Sequence, residues 1–254
     1  MAKFAVITGA SAGIGAEFAR QLANDGYDLL LVARRAERLR ALAAALPTRC
    51  QVFCADLADP GECRRLLAAL ADRPIDLFVN NAGRGVCGPF VQTDLGEELA
   101  LLDINVRALH ILTKGVVRQL QRQGGGALLN VGSSAGLMPA GPYMAAYYAS
   151  KAYVVSLTTA LAEELRQARS PVYVGCLCPG PVHTEFNEVA HVRTPLPGVS
   201  PEFCVRCALA GVHRRKVLIV PGRPLAAAMA AQRLLPRALS AWLAGCQQKR
   251  KLLG

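Results

Sequence analysis

Seven short apolar runs punctuate the chain, and they lack the strict polar alternation of a sheet with one wet face. They are KFAVIT (residues 3–8), DLLLVA (28–33), CQVFCA (50–55), IDLFVN (75–80), GALLNVG (126–132), VYVGCLC (172–178) and KVLIVP (216–221). Most are followed by a stretch with helical periodicity: residues 13–24, a basic one near 35–46, one around 61–71, a long one inside 94–121, and one from about 144 to 169. Strands apolar on both faces, each leading into a helix, require a parallel sheet covered on both sides. Right-handed crossovers then make the expected fold α/β: a doubly wound, parallel seven-stranded sheet with helices on both faces. No Pro-, Ser- or charge-rich linker divides the 254 residues, so one domain spanning 1–254 is expected.

Two segments break the rhythm. Residues 183–200 form a Pro-containing loop long enough to serve as a lid, with apolar Val189, Val192, Leu196 and Val199. Residues 224–253 are amphipathic, interrupted at Pro236 and basic at the end. They are expected to pack on the core or on a second subunit, with attachment to a membrane surface as the lesser alternative.

The net charge of +11 raises the question of nucleic acid, but the Lys and Arg are scattered over groups near 34–40, 118–122, 214–216 and 249–251. No nucleic-acid-binding motif accompanies them, and none is expected as a partner. Nine cysteines without paired spacings, including a lone C-x-x-C at Cys204 and Cys207, argue for free thiols in a reducing compartment rather than zinc. No metal is expected. No apolar run reaches the ~18 residues of a transmembrane helix, so the cytoplasm is the default location.

TGASAGIG (8–15) lies between the first strand and the first helix. Gly9, Gly13 and Gly15 allow a tight turn, and the amides around Ser11, Ala12 and Ile14 can face a pyrophosphate at the helix N-terminus. The spacing departs from G-x-G-x-x-G. The second strand ends in VARR instead of an acid. Arg34 and Arg35 cannot accept from a ribose hydroxyl but can clamp a 2′-phosphate, so NADP(H) is expected, with Arg34 as the principal clamp and Arg35 the more dispensable. In AAYYASKAY (145–153), helical spacing places Tyr147 one turn before Lys151; Tyr148, three residues before it, stays possible. A buried ammonium near a phenol can stabilise the phenolate and so tune an acid/base tyrosine.

Together with NNAG (80–83), NVGS (130–133), YYASK (147–151) and PGPVHT (179–184), these motifs make the chain resemble the short-chain dehydrogenase/reductase family, in family order and over nearly its whole length. The resemblance implies a Rossmann fold and hydride transfer between NADP(H) and a carbonyl or secondary alcohol. Within it, Tyr147 is the acid/base, Lys151 also binds the nicotinamide ribose, Ser133 orients the substrate oxygen, and Asn105 in DINVRA holds a relay water. Asp56, with Leu57, meets the adenine; Asn81, Ala82 and Gly83 line the adenosine ribose; Pro179, Gly180, Val182 and Thr184 meet the carboxamide. The family serine usually stands thirteen residues before the tyrosine, which selects Ser134, and three after the strand asparagine, which selects Ser133. Strand geometry is stiffer than a Pro/Gly loop, so Ser133 is expected.

The lid residues, with Met138 and Met144, suggest a moderately hydrophobic small-molecule substrate. VPGRP and RLLPR resemble the ketoacyl and hydroxysteroid reductase branch. Family members commonly form homodimers or homotetramers through the fourth and fifth helices, where Leu101, Leu102, Leu109, Val154, Val155 and Leu157 are compatible with contact. A non-catalytic dinucleotide-binding or redox-sensing protein on the same fold is the alternative.

Overall fold

A computed structural model describes residues 2–190, 192 and 198–249, with the side chains of Asn187 and Val189 outside the description. Seven parallel strands form one sheet in the order β3-β2-β1-β4-β5-β6-β7. They are β1 Phe4–Thr8, β2 Asp28–Ala33, β3 Cys50–Cys54, β4 Leu77–Asn80, β5 Ala127–Val131, β6 Tyr173–Leu177 and β7 Leu218–Ile219. Each apolar run contains its strand, and the physical reason for the unbroken apolarity is visible in neighbouring residues. Val6, Leu30, Phe78 and Leu128 enter one core, whereas Ile7, Leu31, Val79 and Leu129 enter the other. Helices α3 (Pro60–Ala69), α5 (Leu109–Arg122) and α6 (Ala145–Gln167) cover the first face. The second is covered by α1 (Gly13–Asn24), α2 (Ala36–Ala44) and α8 (Pro201–His213).

The strand order reverses between β1 and β4, where Ala5, Val6 and Ile7 register with Leu77, Phe78 and Val79. In such a sheet the crevice beyond the strand C-termini at the reversal is the place for a ligand. Side chains pin this crevice. Thr8 Oγ1 accepts from the amides of Asn81 (2.9 Å) and Ala82 (3.0 Å), and Asn81 Nδ2 donates to the carbonyls of Thr8 (2.9 Å) and Gly9 (3.4 Å). Deeper in, Asn80 and Asn130 face each other across β4 and β5, and Asn130 donates to Thr158 Oγ1 (3.0 Å).

The long helical stretch after β4 is one rod in three parts: α4 (Leu95–Leu102), a π segment (Asp103–Ala108) and α5. Asp94 caps its start by accepting from the Glu97 amide at 2.9 Å. A π turn inserts an extra residue and is found mostly at functional sites; here it carries the buried Asn105. Helix α8 has no counterpart among the expected elements, although Ser200 caps it and Pro201 opens it. The C-terminal segment forms α9 (Arg223–Ala231), a 3-10 turn and α10 (Arg237–Lys249), broken at Pro236 as expected. Among the described residues, no helix is long and apolar enough to cross a membrane.

Candidate active site

The Gly-rich turn behaves as its composition requires. A Cβ on Gly15 would lie 2.2 Å from the Gly9 carbonyl oxygen, so the turn closes only with glycine there. Helix α1 starts from Ala12 with no side-chain cap and no acidic residue in its first turn. Its first amides and its positive dipole end are thus left for an anion. Across from them, the loop after β6 brings Thr184 over the turn, its methyl 3.0 Å from where a side chain on Gly13 would begin.

Arg34 and Arg35 both stand at the rim, in different company. Arg34 faces Asp56 at 3.7 Å. Arg35 donates from Nε to Ser11 Oγ (3.1 Å), inside the Gly-rich turn, and pairs with Glu185 (3.0 Å). The Arg35 guanidinium thus touches the turn, and that of Arg34 reaches toward Asp56. Glu185 is held below its ordinary pKa by Arg35 and Arg38. Leu57 is a core residue whose side chain packs beneath the crevice. Asn81 engages its amide nitrogen on the Thr8 and Gly9 carbonyls, so it positions the turn.

Ser133, Tyr147 and Lys151 come together where β5 ends and α6 begins. Ser133 stands two residues after Val131, the last residue of β5, caps a 3-10 turn (Ser134–Leu137) and is buried. Its hydroxyl accepts from the Ala135 amide (3.1 Å) and lies within hydrogen-bond reach of the Pro179 carbonyl (3.4 Å). Burial pushes the Tyr147 phenol above its ordinary pKa, and a hydrogen bond with Ser133 opposes that rise. The Ser134 amide donates to the Pro179 carbonyl at 2.7 Å, and its side chain is half-buried. Lys151 Nζ donates to the Val131 carbonyl (2.9 Å) and sits 5.8 Å from the centre of the Tyr147 ring. Burial pulls its pKa from 10.5 to about 8, so at neutral pH it still carries its proton.

Tyr148, the other candidate from the sequence, points away. Its hydroxyl accepts from Gln248 Nε2 of α10 at 2.6 Å, and burial raises its pKa strongly. Asn105 sits at the edge of this cluster. It clamps the Arg84 backbone through both side-chain atoms (2.9 Å each) and donates to Ser150 Oγ (3.1 Å).

The loop after β6 covers the site from the other side. Its ends are joined by a bridge between Val182 and Val199, with the His183 amide donating to the Val199 carbonyl at 3.1 Å. Between them, the short helix α7 (Phe186–Val189) sets the Phe186 ring 5.3 Å from the Tyr147 ring. Phe186 escaped the sequence reading; an aromatic residue two positions after PGPVHT was the available signal. Met138, Tyr147 and Val192 pack against one small core of Cys87, Ala135, Met144 and Tyr148. Leu196 and the side chain of Val189 lie outside the described residues. His183 is exposed.

Comparison with known proteins agrees with this geometry. A family model described as short chain dehydrogenase matches residues 3–193. A very-long-chain 3-oxoacyl-CoA reductase from Neurospora crassa is 34% identical over 218 residues, covering 82% of this chain and 64% of the relative. The chain thus spans about two thirds of the length of that curated protein. Among solved structures, a short-chain dehydrogenase from Sphingobium yanoikuyae in complex with NADPH superposes with a TM-score of 0.83 at 34% identity, covering 91% of this chain and 92% of that one. The bulky-bulky ketone specific alcohol dehydrogenase from Comamonas testosteroni has a TM-score of 0.75 at 28% identity, with 93% and 96% covered.

Proposed function

This chain belongs to the short-chain dehydrogenase family, and from that premise we propose that it is an NADP(H)-dependent oxidoreductase interconverting a carbonyl and a secondary alcohol, with Tyr147 as general acid and base. The observation that carries the proposal is the convergence of Ser133, Tyr147 and Lys151 on one spot at the end of the sheet, with Lys151 Nζ 3.6 Å from where a side chain on Gly83 would begin. A mere nucleotide binder has no use for a phenol hydrogen-bonded to a serine and backed by a buried ammonium.

The residues present fit a phosphorylated dinucleotide. The uncapped start of α1, with Gly9, Ser11, Ala12, Gly13, Ile14 and Gly15, suits the pyrophosphate. Arg34 and Arg35 suit a 2′-phosphate, and Asp56, paired with Arg34 at the rim, would meet the adenine. Ala82 and Gly83 line the ribose side, and Pro179, Gly180, Val182 and Thr184 the carboxamide side. When bound, the nicotinamide supplies or accepts the hydride. In the reductive direction, the Tyr147 hydroxyl gives its proton to the oxygen that gains negative charge, and Ser133 orients and polarises that oxygen. Lys151, held by the Val131 carbonyl, stabilises the phenolate left behind. Asn105 fixes the backbone at Arg84 and holds a water in the path that returns the proton.

The apolar lining from Met138, Met144, Phe186 and Val192 suits a moderately hydrophobic substrate, in keeping with the ketone and oxoacyl reductases among its relatives. Two expected outcomes test the details. Ser133→Ala is expected to lower turnover by roughly a hundredfold or more, the usual effect of removing one oxyanion donor, while Ser134→Ala stays within several-fold of the parent. The opposite pattern of rates would move the role to Ser134. Arg34→Ala and Arg35→Ala are each expected to raise the KM for NADPH by roughly tenfold to a hundredfold, as lost charged hydrogen bonds do, with the KM for NADH little changed. An equal loss with both nucleotides, or a parent enzyme faster with NADH, would remove the 2′-phosphate assignment.

We also propose a homo-oligomer, through an exposed face of α4 that keeps Leu102 from the expected set and leaves out its buried members. Leu101, Leu109 and Val154 are buried in the chain's own core and Val155 and Leu157 are half-buried, whereas Leu95, Leu99 and Leu102 of α4 are exposed. That α4 face is the apolar surface available to a second copy.

A further inference from the structure

The charge of this chain is divided in a way the scattered Lys and Arg conceal. Residues 1–202 hold 19 of the 29 Lys and Arg and all 18 Asp and Glu, a net charge of +1. Residues 203–254 hold the other ten Lys and Arg and no carboxylate side chain, a net of +10. Nearly the whole excess therefore belongs to the C-terminal fifth of the sequence.

The same stretch is built with its apolar side outward. Helix α10 packs on the domain through small and polar residues: Ser240, Ala244 and Gln248 are buried, and Gln248 holds the Tyr148 hydroxyl at 2.6 Å. On the opposite stripe, Leu239, Trp242, Leu243 and Cys246 follow one another at helical spacing and all are exposed, Trp242 by 63%. Leu234, in the turn before α10, is 87% exposed, and Leu235 beside it is exposed as well. Arg233, Arg237 and Lys249 flank the stripe, all exposed. An ordinary surface helix buries its large apolar residues and shows its small or charged ones. This one does the reverse.

We infer that α10 and the turn before it form a docking surface for an anionic membrane, with Leu239, Trp242 and Leu243 entering the headgroup boundary and the basic residues meeting lipid phosphates. An in-plane helix with an apolar stripe, a tryptophan and flanking Arg and Lys has the chemistry for that interface. At 13 residues, α10 is too short to span a bilayer. A second copy of the chain is the less favourable occupant, because a two-fold contact would set one +10 segment against another. The placement also has a use. Arg233, Leu235 and Arg237 form one wall of a cleft of about 230 Å³ whose other wall is Leu137, Met138 and Pro139, a few residues beyond Ser133. A membrane under this face lies next to the substrate side of the site.

Trp242 is the only tryptophan in the chain, so its fluorescence reports this surface alone. The 254-residue chain is mixed with phosphatidylcholine vesicles with and without phosphatidylglycerol, and binding is read by co-sedimentation and by Trp242 emission. Binding to the phosphatidylglycerol vesicles is expected, with a blue-shifted emission, at least tenfold tighter than to phosphatidylcholine alone and weakened by salt. L239S/L243S and R233E/R237E are each expected to reduce it by roughly tenfold or more while leaving the thermal midpoint of the protein unchanged. Absence of binding to the anionic vesicles overturns the inference, as does binding that both double variants retain. A self-associated protein that L239S/L243S dissociates, with no vesicle binding, would assign the face to a second copy and overturn it equally.

Discussion

Tyr147→Phe is expected to lower carbonyl-dependent NADPH consumption by roughly a thousandfold while leaving the fold and the affinity for NADPH intact. A positioned proton donor contributes about 10²–10⁴-fold, and a thousandfold corresponds to about 4 kcal/mol of transition-state stabilisation. The substitution removes a single oxygen. The ring keeps its place 5.3 Å from Phe186 and beside Met138, so packing changes little. What disappears is the hydroxyl that hydrogen-bonds Ser133, on a ring whose centre lies 5.8 Å from Lys151 Nζ. Tyr148 does not take over, because its hydroxyl is fixed by Gln248. Titration of the variant with NADPH, followed by turnover at saturating nucleotide, separates lost chemistry from lost binding. Full turnover in the variant would remove Tyr147 from the reaction.

Lys151→Met is expected to pull activity and stability in opposite directions. Turnover should fall by roughly a hundredfold to a thousandfold, since the phenolate loses its ammonium. Stability of the nucleotide-free protein at pH 7 should rise. Lys151 has a folded-state pKa of about 8 against an ordinary 10.5, so the unfolded chain binds the proton more tightly. The resulting penalty on folding is complete below pH 8, shrinks as pH rises from 8 to 10.5, and is gone above that. Its size at neutral pH is about 3 kcal/mol, and losing the hydrogen bond to the Val131 carbonyl returns about 1 kcal/mol of that. A methionine of similar volume should therefore stabilise by about 2 kcal/mol, raising the unfolding midpoint by several degrees. Denaturation at pH 7 and again above pH 10.5 checks the sign, since the gain should vanish at the higher pH. A less stable variant at pH 7 would mean that the buried ammonium holds the site together.

The sheet was legible because burial on both faces leaves its mark residue by residue: Val6 and Ile7 are both apolar since each enters a different core. The first helix, Gly13–Asn24, was equally plain between two glycine-bounded strands. Helix α8 had no counterpart in the sequence reading although Ser200 and Pro201 form an N-terminal signal; its Cys204 is a core residue packed with Ile219 of β7, and Cys207 is half-buried. The π segment at Asn105 leaves no trace in periodicity, since one inserted residue shifts a helical pattern by less than the pattern's own scatter.

At the site, the order of the motifs located Tyr147 and Lys151, and helical spacing alone could not reject Tyr148. That rejection needed Gln248, a hundred residues away along the chain. The preference for Ser133 over Ser134 rested on strand stiffness; the structure sets Ser133 by Tyr147, and the rates of the two alanine variants decide between the serines. The partners of Arg35, Ser11 and Glu185, come from distant parts of the sequence and could not be read from it. The division of charge at residue 202 could be read from the sequence, yet its meaning depends on which face of α10 is outward, and that is set by tertiary packing.

The most direct measurement follows the hydride itself. NADPH carrying deuterium at the transferable position is incubated with the protein and a panel of ketones, including 3-oxoacyl thioesters and bulky ketones, and the alcohol products are examined by mass spectrometry. The expected result is one deuterium at the carbinol carbon of at least one product, formed by the parent protein and reduced roughly a thousandfold in Tyr147→Phe. Tight NADPH binding with no deuterated alcohol from any ketone would contradict it and leave a dinucleotide-binding protein that does not catalyse the transfer.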